Sequence, residues 1–189
     1  MNIVPIFPTP IAIKLDFITS KERLQLWDRI KKIDHISHKA IEGDGYSTHG
    51  KFPKFLDKNI KNRIQIALDE YNETSGNFPS KIGDQIWSNI QNAGSKLNQH
   101  SHPTSEVSGA LYINVAEDDK LYFHNPNQLI YFTDKKKYTL YNYEYHSITV
   151  ENCQLVLFPG WLRHGNDNVI NKMDERIVIS FNSSSRQGG

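Results

Sequence analysis

The side chains best suited to chemistry fall in two short segments. One is Gln99-His100-Ser101-His102-Pro103, the other Leu157-Phe158-Pro159-Gly160-Trp161-Leu162-Arg163-His164. In extended backbone the side chains at i and i+2 share a face, so His100 and His102 are expected to project side by side. Pro103 favours that reading, because a residue before proline is pushed out of the helical region. Two imidazoles on one face, joined by a third from a later strand, make a three-ligand metal site with open positions. That arrangement belongs to catalytic rather than closed structural centres. Arg176 then opens the run Arg176-Ile177-Val178-Ile179-Ser180-Phe181-Asn182. A buried arginine near such a metal would hold a carboxylate with a two-pronged grip. A lone His-x-His, or one histidine after a Pro-Gly turn, equally suits ordinary hydrogen bonding. It is the ordered set that points to a metal.

The elements that must position these groups divide the chain in two. Ile3 to Leu15 alternates apolar residues with Pro5, Pro8 and Pro10, which suits an edge strand or extended arm. Thr19-Ser20-Lys21-Glu22 is a capping box opening a helix that carries Leu26, Ile30 and Ile33 at helical spacing. Residues 35–53 are polar and aperiodic and read as loop. Asp57 is expected to cap a second helix with Ile60, Ile64, Leu68 and Tyr71 on one stripe and Gly76 at its end. From about Gly83 the pattern becomes short apolar or β-branched runs: Trp87 to Ile90, Val107 to Val115, Lys120 to Phe123, Gln128 to Phe132, Tyr138 to Tyr141, His146 to Val150, Gln154 to Phe158 and Arg176 to Phe181. Strands following a helical start predict an α+β, mainly β fold: a sandwich or barrel with the N-terminal helices packed on one sheet. We expect one domain over residues 1–189, with arm and helices in 1–82, the β core in 83–182 and a disordered tail in 183–189.

Composition sets outer bounds. The 189 residues suffice for one core, and 38% hydrophobic with 23% charged residues is ordinary for a soluble globular protein. A formal charge of +1 offers no global field toward nucleic acid or a cationic partner. Cys153 stands alone, so a disulfide within the chain is impossible. Neither a signal peptide nor a membrane-spanning run is visible, which makes the cytoplasm the default expectation. A homodimer paired through the N-terminal arm would also fit.

On these motifs the chain resembles the Fe(II)/2-oxoglutarate-dependent oxygenases, within the prolyl-hydroxylase-like superfamily and closest to a subgroup of marine bacteria and phages. Phe7-Pro8-Thr9-Pro10 is similar to that group's N-terminal arm, and Trp87-Ser88-Asn89 to the strand before the metal. His100-Ser101-His102-Pro103 with Ser108-Gly109-Ala110-Leu111-Tyr112-Ile113-Asn114 resembles the first metal block, and the segments ending in His164 and Asn182 the distal block. The resemblance implies a double-stranded β-helix with Fe(II) in its mouth, ligated by His100, His102 and His164. It implies 2-oxoglutarate as cosubstrate, its far carboxylate on Arg176, with Ser180, Tyr112 and Asn89 as further contacts. The implied reaction is hydroxylation of a C–H bond in a small-molecule or peptidyl substrate, with O2 consumed and 2-oxoglutarate converted to succinate and CO2. One departure stands out: the superfamily's usual triad is His-x-Asp/Glu plus a distal His, and His102 occupies the carboxylate position. Three imidazoles also suit Zn, Cu or Ni, so the metal's identity stays open here.

Two rivals remain on sequence grounds. Gly94, His100, His102 and Glu106 follow the spacing of the first cupin motif, and His164-Gly165-Asn166-Asp167-Asn168 echoes the second. A cupin-type dioxygenase or isomerase would use Glu106 as a fourth ligand. A non-enzymatic β-sandwich binding module would use the histidines structurally. The tyrosine-rich segment with Tyr138, Tyr141, Tyr143 and Tyr145 could supply a recognition surface, though its rings are rather expected to pack the sheet. The loop of residues 35–53 could cover the site, and His124 could face the pocket or an exposed turn.

Overall fold

Thr19 and Glu22 form the expected reciprocal cap: the Thr19 hydroxyl accepts from the Glu22 N–H at 3.2 Å, and the Glu22 carboxylate accepts from the Thr19 N–H at 2.8 Å. Helix α1, Ser20–Ile30, starts there and buries Leu26 and Ile30. Helix α2, Lys58–Ser75, is capped by Asp57, whose carboxylate accepts from the Ile60 N–H at 3.1 Å. Its buried stripe includes Ile60, Ile64, Leu68 and Tyr71, and it stops at Gly76, held at φ 69°. The computed structural model describes residues 1–2, 6–139, 141–166 and 169–185.

The strands, in chain order, are β1 Ala12–Lys14, β2 Ile36–Ser37, β3 Ile41–Glu42, β4 Gly45–Ser47, β5 Ser80–Gln91, β6 Lys96–Leu97, β7 Val107–Asn114, β8 Lys120–His124, β9 Tyr145–Thr149, β10 Leu155–Pro159, β11 His164–Gly165 and β12 Arg176–Ser185. Seven of them form one antiparallel sheet in the order β1-β10-β7-β12-β5-β4-β2. A second sheet, β11-β8-β9, faces it, and β3 pairs with β6 at one side.

Period-two alternation decides what each face of the large sheet meets. Leu111 and Ile113 of β7, Leu155 and Leu157 of β10, and Ile177, Ile179 and Phe181 of β12 join the cluster that holds the buried stripes of both helices. Ala110 and Tyr112, Val156 and Phe158, and Val178 point the other way, into a second cluster with Leu121, Phe123 and Leu162. The space between the two sheets therefore takes one residue in two from each strand, including Arg176 and Ser180 of β12. This is the expected α+β arrangement, two facing sheets with both helices on the outside of one.

Several local expectations are corrected. Strand β5 begins at Ser80 rather than near Trp87, because β12 pairs with residues 86–91 and, past a register irregularity, with residues 80–82, ending with Ser185 opposite Ser80. The same pairing carries β12 through Ser183–Ser185, residues expected in the tail; 186–189 lie outside the described residues. The 35–53 segment holds β2, β3 and β4. Gln128–Phe132 is a 3-10 helix, not a strand, started by the Asn127 side chain accepting from the Leu129 N–H at 3.2 Å. Among the described residues, which leave out 140, no strand forms around Tyr138, where the Thr139 N–H donates to the Asn142 side chain at 2.6 Å and closes a turn. Ala12–Lys14 is the expected edge strand, paired with β10 of its own chain. Among the described residues no helix is long and apolar enough to cross a membrane.

Candidate metal centre and its cavity

His100 sits on extended chain after β6 and is tied to the first residue of β11. Its N–H donates to the His164 carbonyl and the His164 N–H donates back, both at 2.9 Å. Two residues on, the His102 N–H donates to the Gly160 carbonyl at 2.7 Å. The turn after β10 thus grips the His-x-His segment on either side of Ser101. Gly160 is needed for this close approach: a Cβ there would lie 2.2 Å from the Ser105 carbonyl oxygen and 2.8 Å from that of His102.

The consequence is convergence of three rings. Centroid distances are 4.6 Å for His100–His164, 5.0 Å for His100–His102 and 5.3 Å for His102–His164. One ring nitrogen from each lies within 4.8 Å of the others. The Nδ1 of His100 donates to the Asn98 carbonyl, and the Nδ1 of His164 to that of Leu162, each at 2.8 Å. These bonds select the tautomer that leaves Nε2 as a lone-pair donor to a metal. Burial, then the neighbouring histidines, depresses His102 to about 4 and holds His164 well below the ordinary imidazole range. Both rings are neutral at neutral pH, the form that ligates metals. Three imidazole nitrogens this close together are a donor set that would suit a divalent iron.

Glu106 is not part of this group. It is exposed and lines a separate cavity with Pro103, Pro159 and Trp161, so the four-ligand cupin set is not assembled.

The rings open onto a cavity of about 360 Å³ between the two sheets. Asn89 and Ser180 face each other on its wall, the Asn89 Nδ2 donating to the Ser180 hydroxyl at 3.3 Å. Tyr112 also lines it, with 1% of its surface exposed, and burial pushes its hydroxyl up. Arg176, 4% exposed, stands on the same wall. Its Nε donates to Asp119 at 2.6 Å and its NH1 to the Gln91 side-chain oxygen at 2.9 Å. All seven residues singled out from sequence, His100, His102, His164, Arg176, Tyr112, Ser180 and Asn89, therefore line one cavity.

Sequence reasoning missed Gln91 and Asp119. Gln91 could have been found, since it lies two residues beyond Asn89 on the same face of β5. Asp119, in the turn between β7 and β8, carried no comparable signal. His38 was also missed. It joins His49 at the cavity mouth, with ring centroids 5.0 Å apart, and His49 packs edge-on to Trp87 at 4.9 Å. The 35–53 segment thus does reach the site. The tyrosines expected to pack the sheet are instead exposed: Tyr141, Tyr143 and Tyr145 line an outer groove with His124.

The family described as "Putative 2OG-Fe(II) oxygenase" matches residues 85–182, more than half of the chain. The chain belongs to this family, and is an Fe(II)- and 2-oxoglutarate-dependent oxygenase. Solved structures of low identity share its fold, the double-stranded β-helix. HygX from Streptomyces hygroscopicus, with nickel, 2-oxoglutarate and hygromycin B bound, aligns at TM-score 0.61 and 12% identity over 95% of this chain and 84% of its own. A Pseudomonas putida prolyl-4-hydroxylase gives 0.61 and 12% over 94% of each chain. A Trichoplax adhaerens prolyl hydroxylase in complex with a hypoxia inducible factor peptide fragment gives 0.60 and 12% over 94% of this chain and 84% of its own. No curated protein sequence matches the chain.

Proposed function

We propose that His100, His102 and His164 hold the iron through their Nε2 atoms, and that the protein hydroxylates a C–H bond of a small-molecule or peptidyl substrate. The observation that carries this is the convergence of three imidazoles beside a buried arginine in one cavity. Bound iron supplies the activation of oxygen, coupled to oxidative decarboxylation of 2-oxoglutarate to succinate and CO2.

The chain's own residues do the positioning. The Asn98 and Leu162 carbonyls hold two of the imidazoles in the ligating tautomer. Arg176, fixed on its Nε side by Asp119, turns its remaining N–H groups toward the cavity and receives the far carboxylate of 2-oxoglutarate. Phe158 packs on His164 at 4.5 Å and Trp87 on His102 at 5.7 Å, and these apolar rings keep water from the reacting centre. Substrate enters past His38 and His49. Structures of similar fold hold ligands as different as hygromycin B and a peptide fragment, in keeping with either substrate class. The single buried cysteine suits a reducing compartment, and we place the activity in the cytoplasm.

The test is metal-dependent turnover. Protein reconstituted with Fe(II) and given 2-oxoglutarate and O2 should release succinate slowly without added substrate and faster with the right one. His100→Ala should lose bound iron and succinate release together. Iron bound as tightly by His100→Ala as by the parent would overturn the ligand assignment.

A further inference from the structure

The cavity wall beside Arg176 carries an unsatisfied group that the proposed roles leave unused. Gln91 is 1% exposed, and its Nε2 has no hydrogen-bond partner among the described residues. The amide cannot turn over to hide this. Arg176 has only donors, so the atom 2.9 Å from its NH1 must be the carbonyl oxygen Oε1. The two N–H bonds of Nε2 are therefore fixed in place without an acceptor. Leaving a buried donor unpaired is unfavourable, and sites that tolerate it commonly await a ligand.

The register explains how the pair is built. Arg176 stands directly opposite Gln91 across β12 and β5, so both side chains leave the sheet on the cavity face. Asp119 approaches from the turn outside the cavity. Its Oδ2 takes the Arg176 Nε, and its Oδ1 accepts from the Lys120 N–H at 2.8 Å. What remains toward the cavity is a row of donors: terminal guanidinium N–H groups and the Gln91 amide. That row is complementary to two carboxylate oxygens, and it has no acceptor to offer a ligand hydroxyl, amide N–H or ammonium.

We propose that Gln91 binds the cosubstrate directly, its Nε2 and the Arg176 guanidinium each taking an oxygen of the far carboxylate of 2-oxoglutarate. This rests on the oxygenase reading above and makes Gln91 a residue that selects oxo acids with a second carboxylate. A 2-oxo acid without that carboxylate, such as pyruvate, would leave both donors unpaired and bind far more weakly.

The experiment is equilibrium binding to Fe(II)-loaded protein without oxygen, followed by calorimetry, with 2-oxoglutarate and pyruvate as probes. Gln91→Glu keeps the oxygen that pairs with Arg176 and replaces the donor by a second oxygen, so folding is retained while the incoming carboxylate meets a like charge. Gln91→Met removes the amide at similar volume. We expect Gln91→Met to weaken 2-oxoglutarate about ten- to hundredfold, the effect of a hydrogen bond to a charged group, and Gln91→Glu to weaken it further. Pyruvate binding should be unchanged in both. Parent-like 2-oxoglutarate binding by the two variants would overturn the role of Gln91 and leave the oxygenase reading intact. Equal weakening of pyruvate would show a general disturbance and also overturn it. Failure of the iron-loaded parent to bind 2-oxoglutarate would sink both.

Discussion

Metal-free protein should lose stability in mild acid, and His102 makes the size of that loss calculable. In the unfolded chain its imidazole titrates near the ordinary value of 6.5; in the fold it is depressed to about 4, first by burial and then by His100 and His49. The folded state thus binds fewer protons than the unfolded state between those values, and stability falls as pH drops through that window. At pH 7.5 the contribution is negligible. At pH 5.0 the difference in proton binding amounts to about 2 kcal/mol from His102 alone. His164 is shifted in the same direction and adds to it. For a domain of this size that lowers Tm by about 4–8 °C. The assay is thermal unfolding of chelator-treated protein at both pH values, for the parent and for His102→Asn. His35, His38 and His49, also lowered by burial, are present in both proteins and cancel in the comparison. If both proteins lose the same stability between pH 7.5 and 5.0, His102 is not held neutral by its surroundings and the argument fails.

Three further outcomes can be checked with the same tools. Gly160→Ala should force the Ser105 and His102 carbonyls away, costing about 1–3 kcal/mol and weakening metal binding measured by titration with Fe(II). Arg176→Met leaves the Asp119 carboxylate, with 12% of its side chain exposed, without its partner. The loss is about 3–5 kcal/mol, and the double variant with Asp119→Asn should recover part of it in thermal unfolding. Thr19→Ala removes the cap of α1 and should cost about 1 kcal/mol while leaving metal affinity unchanged, since the helix packs on the outer face of the sheet.

What could be read in advance was set by short-range rules. The i, i+2 relation brought His100 and His102 to one face, and the Pro-Gly turn before His164 marked where a third ring would arrive. The capping residues Thr19, Asp57 and Gly76 located both helices because their bonds close within one turn of the residues concerned. The errors came where distant pairing decides. The strand pattern was read from about Gly83, yet residues 80–82 join β5 because Ser183, Ser184 and Ser185 of β12 pair with Ile82, Lys81 and Ser80. Asp119 meets Arg176 only because the turn after β7 folds back over β12, beside a register shift between Ile177 and Val178. Gln128–Phe132 has strand-like composition, but the Asn127 side chain accepts from the Leu129 N–H and starts a 3-10 turn. Glu106 had the right spacing for a ligand and the wrong direction, which spacing alone does not encode.

The most direct test of the account is the visible absorption spectrum of the oxygen-free protein with Fe(II), before and after 2-oxoglutarate. A weak charge-transfer band is expected that needs both components and disappears in His100→Ala. Iron held by the histidines with no band on adding 2-oxoglutarate would contradict it.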